Sequence, residues 1–205
     1  MNFELTDDQA LLLQAFEALL KRHPVPHGAH GYVAYSAALQ AEIAESGFLD
    51  VANEEGFGPL EAALLAEAAA RSPVSFEFAA SALLGPLIAQ EFGAVAAPVA
   101  LLWGRTTAAR YLREAKTLCL FEGDDVFLAA ASDRLVAPAE SVAAYPMARL
   151  TAFPKDAVRV SGAKAAALRR RALVAIAAEA AGLMRGALDQ TIAYVKEREQ
   201  FGQTL

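Results

Sequence analysis

The sequence predicts a mostly α-helical protein with a small β section in its middle. Apolar residues recur at three- and four-residue intervals up to about residue 103 and again from residue 163, which is typical of amphipathic helices. Between them the apolar runs become short and are separated by turn residues, as in strands. We therefore expect a helical domain at 1–103, a short β domain at 104–162 and one long helix at 163–205.

Composition and charge exclude several classes of protein. The 205 residues are 56% hydrophobic with a net charge of −6, so the chain can build a core. It has no basic, aromatic-interleaved patch, and nucleic acid is not an expected partner. The apolar stretch 82–104 is interrupted by Pro86, Gln90 and Glu91, and a membrane span is not expected. An acidic start and the single Cys119 predict a cytoplasmic protein.

The first half of the chain carries the start and stop signals of four helices. Thr6 and Gln9 fit a capping box, and His23-Pro24 ends the helix that they begin. Pro59 suits the first turn of the third helix. The second helix is expected at 36–46, the third from 59 to just before 72, and the fourth at 76–92 with a break at Gly85-Pro86.

The β section has one clear hairpin signal. Residues 117–121 and 126–129 flank the turn sequence Glu122-Gly123-Asp124-Asp125. Residues 147–153 and 157–160 predict two further strands, and a short helix is expected through 110–112.

Small residues mark one face of the long final helix. Ala178, Gly182 and Gly186 are spaced by four, which clears a groove for a second helix. A glycine inside a helix costs about 1 kcal/mol relative to alanine, so two of them indicate a packing requirement. The larger apolar residues expected to pack beside this groove are Leu183, Leu188, Ile192 and Val195.

No set of residues has the pattern of a catalytic or metal centre. His23, His27 and His30 fall in one Pro-containing loop without a Cys or carboxylate, which favours a surface connection over a metal site. Cys119 lies in an apolar strand-like run, where a thiol is inert. The adjacent Glu54 and Glu55 diverge at a turn, so they do not form a facing acid–base pair. For the run 169–171, Arg-Arg-Arg, a solvated face is favoured over a phosphate clamp.

The strongest local feature is the end of the long helix, at residues 193–202. Arg198 precedes the aromatic Phe201 by three residues, a pair that can bind a phosphate and stack on a purine. An equally physical alternative is that Arg198 complements the helix C-terminus and Phe201 belongs to the core.

This segment resembles the acyl-CoA dehydrogenase family, whose final domain opens with a helix of the pattern Y-x-x-x-R-x-Q-F-G. The positions that match are Tyr194, Arg198, Gln200, Phe201 and Gly202, with Gly182 at a glycine common earlier in that helix. Three N-terminal stretches, 3–9, 44–58 and 64–71, are also similar to the family.

The resemblance implies an N-terminal helical domain, a reduced β domain and the first helix of a C-terminal bundle, usually within a tetramer. Family members bind FAD and oxidise acyl-CoA thioesters at the α and β carbons. By resemblance, Arg198 contacts the FAD pyrophosphate of a neighbouring subunit, Phe201 packs near its adenine, and Gln200 lines the same region. The expected partners are acyl-CoA dehydrogenase-like subunits in a homo- or hetero-oligomer.

Two features of the family are missing from the sequence. No stretch matches the family's flavin-contacting loop, which reads approximately Thr-Glu-Pro-x-x-Gly-Ser-Asp. The catalytic Glu of the family lies after the Gln-Phe-Gly motif, so no residue here is assigned as the base. Three interpretations stay open. The chain is part of an acyl-CoA dehydrogenase whose continuation supplies the base, a non-catalytic partner subunit that offers Arg198 and Phe201 to a neighbour's FAD, or a helical interaction protein without a redox role. The final residues do not look like an ending, which keeps the first interpretation open.

Overall fold

The computed structural model describes residues 4–26, 34–93, 95–141, 146–200 and 203–204. The described part is mostly α-helical with a small strand section and a long final helix, which confirms the predicted fold class. Its five α-helices are α1 (Asp7–Lys21), α2 (Ala37–Glu45), α3 (Pro59–Arg71), α4 (Ala79–Phe92) and α5 (Gly162–Glu197).

Local signals set the starts of the first helices. Thr6 accepts a hydrogen bond from the Gln9 amide at 3.2 Å, and the Gln9 side chain accepts one from the Thr6 amide at 3.0 Å. This is the predicted capping box, and it satisfies two amide groups that the helix leaves open. Ser36 caps α2 in the same way through the Leu39 amide, and Pro59 occupies the first turn of α3.

The fourth helix does not break at Gly85-Pro86, so that prediction is wrong. Helix α4 is continuous from Ala79 to Phe92 with Pro86 inside it. Proline normally clashes with the Cβ of the preceding residue in the helical conformation. Gly85 has no Cβ, and most of the N-terminal half of α4 is buried in the core, so packing keeps the helix intact.

The strand section forms two small sheets. Their strands are β1 (Val99–Trp103), β2 (Ala109–Arg110), β3 (Thr117–Glu122), β4 (Asp125–Ala130), β5 (Val136–Pro138), β6 (Met147–Leu150) and β7 (Val158–Val160). The first sheet has the order β1-β3-β4-β7, in which β1 is parallel to β3 and the other pairs are antiparallel. The second sheet has the order β2-β6-β5 and is antiparallel. A last short hairpin pairs β8 (Glu199–Gln200) with β9 (Gln203–Thr204).

The expected hairpin and the two later strands are present as β3–β4, β6 and β7. The expected helix through 110–112 is wrong, because Ala109–Arg110 pairs with Met147–Ala148 and Tyr111 turns away with a φ of +57°. Val99–Trp103 is a strand although it falls in the stretch expected to be helical. Its backbone is held by β3, a partner distant in sequence that local periodicity does not reveal.

The two glycines of α5 lie against α3. A Cβ atom built on Gly182 would stand 2.1 Å from the Glu67 carbonyl oxygen, and one on Gly186 would stand 2.9 Å from the Arg71 carbonyl oxygen. The predicted close-packing groove is therefore confirmed. At the same junction, Arg71 Nε donates to Asp189 Oδ2 at 3.0 Å and ties the end of α3 to α5.

Candidate functional site

The C-terminal end of α5 presents Arg198 to solvent. The Arg198 amide donates to the Tyr194 carbonyl at 3.0 Å, its guanidinium donates to the Tyr194 hydroxyl, and its Cζ lies 5.4 Å from the Tyr194 ring centre. The helix thus orients a planar donor group at its last turn. Among the other predicted site residues, Gln200 lies in β8, where only its backbone is described, and Phe201 lies outside the described residues. The expected approach of Phe201 to Arg198 stays a prediction.

A second feature of α5 is an apolar face turned to solvent. Leu183, Leu188, Ile192 and Val195 were expected to pack beside the glycine groove, but all four are exposed, so that prediction is wrong. The glycines themselves face α3, and the larger residues fall on other sides of the helix. The face includes the exposed residues Leu173, Val174, Met184, Leu188, Ile192 and Val195. We call it the outer face of α5.

A cleft lies between the N-terminal end of α4, helix α5 and strand β2. It holds two cavities of about 410 and 280 Å³ that share the lining residues Arg110, Tyr111 and Glu179. Arg110 on β2 donates to the Glu179 carboxylate on α5, which connects the second sheet to the long helix. The walls are largely apolar and include Phe76, Phe78, Ala79, Leu101, Ile176 and Leu183.

Glu77 lies at the base of the smaller cavity and is 3% exposed. Its Oε1 accepts from the Ala80 amide at 2.8 Å and the Ser81 amide at 3.3 Å, while its Oε2 accepts from the Ser81 hydroxyl and from the Val99 amide at 3.3 Å. Burial raises the pKa of Glu77 to about 7, and the nearby charge of Glu179 acts in the same direction. With both oxygens engaged, Glu77 ties the start of α4 to β1 and is not placed as a free base.

Sequence reasoning missed Glu77, Arg110 and Glu179. Glu77 had one usable signal, because an acidic residue just before a buried helix suits the positive N-terminal end of that helix. Arg110 and Glu179 had no signal in the sequence that would pair them, because they are 69 positions apart in the chain.

A half-buried tyrosine, Tyr35, lies beside Tyr111 of the cleft. The ring centres of Tyr35 and Tyr111 are 5.9 Å apart. Burial raises the pKa of the Tyr35 hydroxyl, and the charges of Glu77 and Glu114 raise it further. The buried Ser75 hydroxyl and Glu114 Oε2 have no hydrogen-bond partner among the described residues.

The other sequence candidates behave as structural groups where they are described. Cys119 is buried, as expected for a structural thiol, and burial raises the pKa of its thiol to about 12, which disfavours the reactive thiolate. His23 pairs with Glu42 at 2.6 Å, while His27 and His30 lie outside the described residues. Glu54 and Glu55 lie at a turn.

The arginine run divides between two roles. Arg170 is exposed, as expected for a solvated face. Arg169 is partly buried instead, where its guanidinium lies over the Trp103 and Phe121 rings and donates to the Gly123 carbonyl.

Metal-binding clusters and membrane-spanning helices are two further features that the described residues could contain. Within them, no group of three or more His, Cys, Asp or Glu side chains is arranged to hold a metal ion. Likewise, none of the helices that the structure describes has the length and apolar character needed to cross a bilayer.

Comparison with known proteins places these features in a known fold. Residues 161–205, which contain α5 and Arg198, match the family model described as acyl-CoA dehydrogenase, C-terminal domain. No curated protein sequence matches the chain.

Solved structures align with nearly the whole chain. The alignment with the ChsE4–ChsE5 complex from Mycobacterium tuberculosis spans 100% of this chain and 71% of the matched chain, with 18% identity and a TM-score of 0.68. The alignment with a structure named as the Tcur3481–Tcur3483 steroid ACAD spans 97% of this chain and 69% of the matched chain, with 20% identity and a TM-score of 0.67. A glutaryl-coenzyme A dehydrogenase complex with glutaryl-CoA covers 100% and 70%, with 17% identity and a TM-score of 0.62.

The structure therefore has the fold of the acyl-CoA dehydrogenases, and its C-terminal segment carries the sequence pattern of their last domain. Together these findings confirm the resemblance to the acyl-CoA dehydrogenase family.

Proposed function

We propose that this chain is part of an acyl-CoA dehydrogenase-type flavoprotein, a cytoplasmic oxidoreductase that removes hydrogen from the α and β carbons of an acyl-CoA thioester. The observation that carries the proposal is the end of α5, where a segment matching the family's C-terminal domain presents Arg198 at the last turn of a 36-residue helix. In this proposal, 1–103 and 104–162 form the helical and reduced β domains, and 163–205 opens the C-terminal bundle.

Arg198 fits the diphosphate of FAD. A guanidinium is a planar donor fork that can bind two phosphate oxygens together, and the Arg198 side chain is exposed and oriented by Tyr194. Gln200 and Phe201 would complete this contact on the adenine side. FAD, when bound, supplies the acceptor for the β-hydride. The two carboxylates that line the cleft, Glu77 and Glu179, are both engaged in hydrogen bonds, so we assign neither of them as the base for the α-proton.

A second candidate function is a non-catalytic partner subunit in a hetero-oligomer. The outer face of α5 favours it, because a row of apolar side chains that is left in water along a helix marks a surface for other helices. Two of the similar structures are named as pairs of chains, ChsE4–ChsE5 and Tcur3481–Tcur3483. In such a pair, Arg198 would reach an FAD held mainly by the partner.

Flavin retention tests both candidates. The chain is purified alone and after co-expression with an acyl-CoA dehydrogenase-like chain, and bound FAD is measured by absorbance near 450 nm. We expect at least tenfold less FAD in the complex when Arg198→Ala is present, because a charged contact to phosphate contributes about 1.5–3 kcal/mol. Arg185→Ala, an exposed arginine on the same helix, is the matched control and should retain the flavin.

The outcomes separate the three interpretations. Flavin bound by the chain alone supports the first candidate, and flavin bound only in the complex supports the partner subunit. If neither preparation holds FAD, the proposed function is wrong and an interaction protein without a redox role is favoured.

A further inference from the structure

The ion pair between Arg110 and Glu179 crosses the cleft between its two cavities. Both residues, with Tyr111, line the cavity of about 410 Å³ and the cavity of about 280 Å³. Glu179 is 16% exposed and Arg110 36% exposed, so the pair is partly shielded from water. A group that enters from one cavity and extends into the other therefore passes these two side chains.

In the smaller cavity the surroundings of the pair contain more acid than base, whereas the larger cavity is also lined by Arg71, which is paired with Asp189. Besides Glu179, the buried Glu77 lines the smaller cavity, and Glu114 lies near Tyr35 close to Tyr111. Arg110 is the one basic residue that lines the smaller cavity among the described residues, and its guanidinium is already engaged by Glu179. A carboxylate that enters the smaller cavity would have to displace Glu179 from Arg110 and would be repelled by Glu77.

The largely apolar cavity walls favour the binding of apolar groups. Aliphatic side chains of α3, α4 and α5 line the larger cavity together with Phe76 and Phe78, which precede α4, so burial of apolar area favours an apolar ligand there. The Ser75 hydroxyl, which also borders that cavity, can satisfy a hydroxyl or carbonyl group of a ligand.

We propose that the Arg110–Glu179 pair is a specificity determinant, which admits uncharged apolar groups to the smaller cavity and rejects groups that end in a carboxylate. This deepens the proposed function, on which it rests, by naming the substrate class: acyl groups whose far end is an uncharged alkyl chain or ring.

The test uses two probes of equal chain length and needs neither flavin nor CoA. Decanoate can insert its methyl end and leave its carboxylate in water, whereas decanedioate has to bring one carboxylate into the cleft. Trp103 is the single tryptophan, is 37% exposed and lines the smaller cavity, so its emission reports occupancy. Titrations are made at pH 8, below the micelle concentration of decanoate.

We expect decanedioate to bind on the order of tenfold more weakly than decanoate, or worse. In Glu179→Gln the ion pair with Arg110 is lost and one repelling charge disappears, so decanedioate should gain at least tenfold relative to decanoate. Glu91→Gln is the matched control, because it removes a carboxylate from the ion pair with Lys164 in another part of the molecule and should leave the ratio unchanged.

Three results would overturn the proposal: equal affinity for the two probes in the native chain, an unchanged ratio in Glu179→Gln, or no Trp103 response to decanoate. These results are independent of FAD. If the protein retains no flavin but still selects decanoate over decanedioate, the proposed function alone is contradicted. If it retains flavin but does not select between the two probes, the specificity role alone is contradicted.

Discussion

Gly182 of α5 lies directly against the Glu67 carbonyl of α3, with room for a hydrogen atom and nothing larger. An added Cβ would come within 2.1 Å of that oxygen and 2.9 Å of the Ala70 Cβ. The contact sets how closely the long helix approaches the N-terminal helices, and the cleft beside it depends on that approach.

Gly182→Ala should destabilise the protein by about 3 kcal/mol, because backbone on α3 has to move to accept the methyl group. Gly186→Ala should cost less, since its nearest backbone atom is 2.9 Å away. Urea unfolding measures both. Ala181→Val is the control, because it enlarges a side chain on an exposed position of the same helix and should cost less than about 1 kcal/mol. Equal effects at 181 and 182 would contradict the close contact.

Glu77 should make stability fall as pH rises. Burial raises its pKa from 4.5 to about 7, so between these values the folded state holds a proton that the unfolded state has released. Folding is then favoured at low pH, and we expect a loss on the order of 2–3 kcal/mol from pH 5 to pH 8. Urea unfolding across this range measures it.

Glu77→Gln should flatten that pH dependence, although its amide group opposes the Val99 amide and lowers stability at every pH. Glu91→Gln, at an ion pair outside the cleft, serves as the comparison and should keep the native slope. A slope unchanged in Glu77→Gln would assign the pH dependence to other groups.

Cys119 should resist thiol reagents in the folded protein. Its pKa is raised to about 12 by burial, so little thiolate exists at pH 8 and the sulfur is out of reach. With Ellman's reagent we expect reaction at least roughly a hundredfold slower than after unfolding in urea. Ala181→Cys adds a thiol at an exposed position and should react at once. Rapid reaction of Cys119 under native conditions would show that its strand opens readily.

The outer face of α5 should tolerate charge in the isolated chain but not in an assembly. Met184→Lys with Leu188→Lys changes two exposed side chains, so the free energy of unfolding should move by less than about 1 kcal/mol. Sedimentation velocity should show weaker association, either of the chain with itself or with an acyl-CoA dehydrogenase-like partner. Leu168→Lys places the same charge on the buried face and should unfold the protein. Association that survives the double change would place the interface elsewhere.

Local chemistry made much of this architecture readable from the sequence. The capping box at Thr6 and Gln9, the Gly123-Asp124 turn and the spacing of Gly182 and Gly186 act over a few residues, and each has its predicted outcome. The end of α5 was found for the same reason, because its motif is contiguous. The continuity of α4 through Pro86 was missed, since tertiary packing outweighed a local breaking signal.

The sequence by itself determined the four N-terminal helices, the β3–β4 hairpin, the close-packing face of α5 and the placing of Arg198 at its end. Only the tertiary structure decided which side of α5 stays in water, how β1 pairs with β3, and that Arg110 meets Glu179 across a cleft above Glu77. The physical reason is the distance along the chain over which each interaction acts. Caps, turns and helical spacing depend on neighbouring residues. The cleft instead joins residues as far apart as positions 77 and 179, through a parallel strand pair and an interhelical contact that no local pattern encodes.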